Sequence, residues 1–239
     1  MSRIKTFGSA WLLLTASLLS PAQTVQRGVQ GSPHDFSKAS WNVTRDLCSP
    51  CHQEHSPQDS QIPMWGHATS KASFRIYDSP TFKAERHAPS SGSLACLSCH
   101  DGTVAINQSV AKLESQTAVY INPASQIGPD LHTTHPISFT YDASLAVADG
   151  AVENPMVYHI GDAKTELTCN TPPVPKEWDG PSLAGLTIDE ALLFDHKLEC
   201  ASCHDVHNQQ GNASSGLLKI DGMDRSGRGD LLCRTCHIK

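Results

Sequence analysis

Four copies of one five-residue frame constrain this chain more than anything else in it: Cys48-Ser49-Pro50-Cys51-His52, Cys96-Leu97-Ser98-Cys99-His100, Cys200-Ala201-Ser202-Cys203-His204 and Cys233-Arg234-Thr235-Cys236-His237. On one helical turn, thiols at i and i+3 and an imidazole at i+4 project from one face. That spacing is the attachment signature of c-type haem, in which two thioethers hold the porphyrin and the histidine ligates its iron. Paired thiols also build zinc ribbons and, outside the cytoplasm, disulfides. Neither alternative requires a histidine after every pair. We therefore expect four covalent haems, held by Cys48, Cys51, Cys96, Cys99, Cys200, Cys203, Cys233 and Cys236, with His52, His100, His204 and His237 as proximal iron ligands.

Four macrocycles change what the interior has to supply. Only 38 % of the 239 residues are hydrophobic, a thin core for this length, and a porphyrin is a large, mostly apolar body that protein must cover. The expected fold is mostly irregular loop with a few short helices and little strand, organised around the haems. The net charge of −6, from 18 basic and 24 acidic residues, comes with no basic run. This argues against a nucleic-acid partner, whose phosphates need clustered Lys and Arg.

Residues 1–22 read as an export signal: Arg3 and Lys5, then the apolar stretch Ala10 to Leu19, then the small-residue box Ser20-Pro21-Ala22. The apolar stretch is about half the roughly 20 residues of a spanning helix. The expected product is a single tetrahaem domain over 23–239, soluble after cleavage and without membrane insertion. Within it, about 101–199 forms an insert with no attachment motif, punctuated by Ile121-Asn122-Pro123, Gly128-Pro129 and Thr171-Pro172-Pro173-Val174-Pro175, which read as turn and extended signals rather than core elements. Short helices are expected around Trp41–Cys51, Leu94–His100, Ile188–Phe194 and Asp230–His237, the third capped by Thr187 or Asp189. A strand is expected over Ile137–Tyr141. Cys169 is left over, as a free thiol or an intermolecular bond.

Nine histidines remain after the proximal four, more than four irons need. Methionine is scarce, so each site can be bis-histidine, a ligation that favours low potential and leaves no open coordination position. His55 and His207 each stand three residues after a proximal histidine, which aims them past their own haem toward a neighbour. His67 follows Met64-Trp65-Gly66. His135 is held extended by Pro136 and competes with His132. His34 precedes the first motif in a stretch with no other role. His87, His159 and His196 read as surface residues.

Several stretches resemble the small extracellular tetrahaem cytochromes c of the OmcE type, the nanowire-forming cytochromes of metal-respiring bacteria. They are His34-Asp35-Phe36-Ser37, the first motif with His55, Pro63-Met64-Trp65-Gly66-His67, Cys96 to Ala105, His135-Pro136-Ile137-Ser138-Phe139, Cys200 to Asn208 and the final motif. The resemblance implies a loop-rich fold around a haem chain and bis-histidine irons with His34, His55, His67, His135 and His207 as the distal set, five candidates for four sites. It also implies self-association into filaments, with one histidine ligand crossing between subunits. The region Val152 to Phe194 matches no part of the family pattern. The function expected is an exported electron conduit that serves redox partner proteins and acts at the cell surface or outside the cell, with a polymeric form implied by the resemblance. The alternatives are a monomeric periplasmic shuttle and, from a different class, a multihaem oxidoreductase, which would need an open iron.

Overall fold

The computed structural model describes residues 28–53, 64–108, 117–160, 183–211, 216–220 and 231–238. Residues 1–27, which include the expected export signal, His55 and Cys169 lie outside them. Over the described residues the chain is mostly loop, with few short helices and little strand. In order it forms α1 (Ser91–His100), a 3₁₀ turn (Pro123–Ser125), β1 (Phe139–Thr140), α2 (Ala143–Asp149), α3 (Ile188–Leu192), β2 (Lys197–Leu198), α4 (Cys200–Cys203) and α5 (Leu231–Cys236).

Each short helix is set by local chemistry. Asp142 accepts a bond from the Leu145 N–H at the start of α2, and Gly150, at φ +69°, closes it in the left-handed conformation. Thr187 and Glu190 form a reciprocal capping box on α3, so the expected cap is the one used. The helix expected over Trp41–Cys51 is instead a run of turns. Its polar side chains compete for the backbone: the Asn42 amide donates to the carbonyls of Phe36 and Asp46, and the Asp46 carboxylate accepts from the N–H groups of Cys48 and Ser49. Helix α2 was not expected, and the expected strand shortens to two residues, Phe139 opposite Leu198 and Thr140 opposite Lys197 in an antiparallel pair.

The insert carries more of the interior than its turn-rich sequence suggests. The main apolar cluster joins Phe139, Tyr141, Ile160, Ile188, Ala191, Leu192 and Leu198 with Ile220 and Leu231. Seven of these nine stand between the second and third motifs, and none belongs to the turn signals at 121–123 and 128–129. Capped turns and the β1–β2 pair bring scattered apolar residues together without long amphipathic elements. Ile188 is fully buried, at 0 % exposure.

A second, polar junction fixes α1 against α4. The buried face of α1 carries Ser93 and Ser98 beside Leu97, small enough for the close approach of another backbone. The Glu199 carboxylate, 4 % exposed, accepts from the hydroxyls of Ser90 (2.6 Å), Ser138 (2.8 Å) and Ser93. Each buried oxygen is thereby satisfied, as burial demands.

Candidate functional site

All four C-x-x-C-H frames close one helical turn. The His52 N–H donates to the Cys48 carbonyl at 2.8 Å, that of His204 to Cys200 at 3.1 Å and that of His237 to Cys233 at 2.9 Å, while the second frame is the last turn of α1. Three of the histidines then pair with another segment as an isolated bridge: His52 with Trp65, His204 with Leu218 and His237 with Val152. Against His52 the approach is tight, because a Cβ on Gly66 would stand 2.7 Å from the Gln53 Cβ and 2.9 Å from its nitrogen. Only glycine fits there. Trp65 meets the His52 ring edge-on, at 6.4 Å and 89°.

Three motif histidines each stand opposite one of the histidines singled out from the sequence. His34 and His100 have ring centroids 6.1 Å apart with planes at 64°. His52 and His207 are 6.1 Å apart at 22°, and His135 and His237 are 6.3 Å apart at 76°. Metal–imidazole bonds run about 2 Å, and in a five-membered ring with bonds of about 1.35 Å the nitrogen stands about 1.15 Å from the centre. Two imidazoles sharing one metal therefore lie about 6.3 Å apart. The three separations agree with that figure. Nδ1 of His100 meets the Ser125 carbonyl at 2.8 Å, that of His204 the Gly216 carbonyl at 2.8 Å, and that of His135 the Pro136 carbonyl at 2.9 Å. Donation through Nδ1 leaves the lone pair on Nε2, the arrangement of a metal-ligating imidazole.

The other candidates are placed differently. His67 is buried, with Nδ1 2.8 Å from the Ala68 carbonyl, Nε2 3.1 Å from that of Ala105, and Nε2 3.9 Å from the Cys99 sulfur. It lies beside the second motif without facing a motif histidine. His204 has no ring partner among the described residues, and His55 lies outside them. His132 meets Asp130, His196 meets Asp189 and His87 meets Glu85.

The electrostatics keep donor groups neutral. Burial, then the nearby imidazoles of His100, His204 and His207, pull the His34 pKa down to about 4. Burial pushes the Cys99 and Cys236 thiols up to about 12, helped at Cys99 by Cys51 and Asp101. The neighbouring Cys96 and Cys200 thiols act on each other, which lowers Cys200 and raises Cys96; the Cys96 thiol donates to the Gly92 carbonyl at 3.7 Å. The eight motif thiols are free, none joined in a disulfide.

Among the described residues no group of three ligating side chains stands close enough to hold a metal ion alone. The ring pairs offer two donors each. A c-type haem fits that arrangement: Cys48, Cys51, His52 and His207 would hold one, Cys96, Cys99, His100 and His34 a second, and Cys233, Cys236, His237 and His135 another. Cys200, Cys203 and His204 supply one face of the fourth. Two further features were missed from sequence. Asp101, 4 % exposed, follows His100 directly and accepts from Ser70 and Thr103. Glu199 immediately precedes Cys200. Position beside a motif was the available signal for both. No family model matches the chain, and no curated protein matches it. No described helix is long and apolar enough to cross a membrane.

Proposed function

We propose that this chain is an exported tetrahaem c-type cytochrome that carries electrons and catalyses no substrate reaction. The observation supporting this reading is the set of three ring pairs, each a motif histidine opposite a distant one at the spacing two ligands of one metal require. Bound haem would supply one-electron exchange. The chain's part is to fix each group from both faces. A motif turn anchors one side, and a histidine from a remote segment closes the other, which leaves no coordination position for substrate. The carbonyls of Ser125, Gly216 and Pro136 orient His100, His204 and His135. Distal partners drawn from distant sequence also tie the loop-rich chain together, in keeping with a single domain over 23–239 and with redox proteins as partners at the cell surface or beyond it.

Of the motif histidines, His204 has no ring partner among the described residues; in this reading its second ligand comes from elsewhere in the chain, His55 included, or from a neighbouring copy. The test is spectroscopic. The purified exported protein should be low-spin at every iron and should not bind carbon monoxide on reduction. A substantial high-spin fraction that binds carbon monoxide would support the oxidoreductase alternative instead. Sedimentation separates filament from monomer.

A further inference from the structure

Glu199 is a buried carboxylate with no counter-ion. It belongs to none of the ion pairs of the described residues, yet it is almost fully enclosed. The Ser93 hydroxyl already accepts the Cys200 N–H at 3.0 Å, and the Ser138 hydroxyl accepts the Ser90 N–H at 2.9 Å. The hydroxyls of Ser93, Ser138 and Ser90 all donate to the Glu199 side chain, the acceptor-only pattern of a carboxylate. The chain also keeps Ser138 in the left-handed region, at φ +60°, an uncommon conformation for a residue with a side chain. It is retained where the Ser138 N–H meets the Leu198 carbonyl at 2.6 Å and its hydroxyl meets Glu199. Backbone strain of this kind concentrates at sites that use it.

The position of this charge gives it a role. Ser93 lies one helical turn before Cys96, and Glu199 directly precedes Cys200, whose N–H donates to the Ser93 hydroxyl at 3.0 Å. One carboxylate thus adjoins two attachment motifs. Resting on the haem reading above, we infer that Glu199 is a potential-setting residue, a buried carboxylate that lowers the reduction potentials of the second and third haems relative to the other two. An oxidised iron carries one more positive charge than a reduced one, so a nearby anion in a low-dielectric site favours oxidation.

The test is a spectroelectrochemical titration of the purified haem-loaded protein, with haem content measured first. A wild-type protein without haem refutes the functional reading before this inference is reached. With four haems present, Glu199→Gln keeps the shape and removes the charge. Two of four midpoints should rise, each by at least the 59 mV that a tenfold change in the oxidised-to-reduced ratio represents for one electron. Ser138→Ala removes a donor and keeps the charge, so the same two midpoints should fall. A purely structural role would move both variants in the same direction. Unmoved midpoints in a four-haem Glu199→Gln protein overturn the inference, as does a rise in Ser138→Ala. If Glu199→Gln fails to retain its haems, Ser138→Ala decides alone: a fall confined to two midpoints supports the inference, and any other result overturns it.

Discussion

Acidification should destabilise this protein through His34 in a defined window. The unfolded chain takes up a proton on this imidazole below its ordinary pKa of 6.5, whereas the folded chain does so only at about 4. Between those values the unfolded state binds more protons, so stability present above pH 6.5 is lost as pH falls toward 4, and nothing further is lost below. At 1.36 kcal/mol per unit the loss is about 3 kcal/mol. A metal bond to the same imidazole would keep it neutral to still lower pH, which enlarges the loss without changing its sign. The assay is denaturant unfolding of wild type and His34→Gln at pH 7 and pH 4. Other titrating groups contribute equally to both proteins, so the wild type should lose about 3 kcal/mol more than the variant. Parallel pH profiles would refute the burial and clustering argued for His34.

Three further outcomes are expected. The ring planes of His52 and His207 are near parallel, whereas the other two pairs are steeply crossed. Parallel rings split the iron d orbitals they overlap and crossed rings leave them nearly degenerate. Electron paramagnetic resonance should therefore show at least two large-g low-spin signals beside a more rhombic one, and uniform rhombic signals would contradict the geometry. His207→Ala should convert one haem in four to a form that binds carbon monoxide, read by difference spectroscopy, with the rest unaffected. Ile188→Ala should cost about 2–5 kcal/mol by removing a fully buried side chain, measured by thermal melting, while leaving the absorption spectrum unchanged.

The motif turns were legible because their chemistry is local: five residues state both the spacing and the bond from the histidine N–H to the first cysteine. His34, His135 and His207, singled out from the sequence, each stand opposite a motif histidine. Their pairing was not, because it depends on how loops return across the molecule. His67 illustrates the limit. Trp65 and Gly66 do mark a close approach, but it serves the turn around His52, and the His67 ring is directed to carbonyls instead. The core was hidden in the insert because no element there is long enough to display a period; Ile188, Tyr141 and Ile160 meet only after the chain has turned several times. Asp142 and Gly150 announce both ends of α2, yet seven residues between them are too few to read as a helix by pattern. Burial of Glu199 was not legible either, because its donors Ser90, Ser93 and Ser138 stand far from it in sequence.

The intact mass of the purified exported protein tests the central claim most directly. The account predicts a chain without its first 22 residues that carries the added mass of four covalent haems, unchanged after acid–acetone extraction. A bare polypeptide, or one carrying zinc on its cysteine pairs, would contradict it.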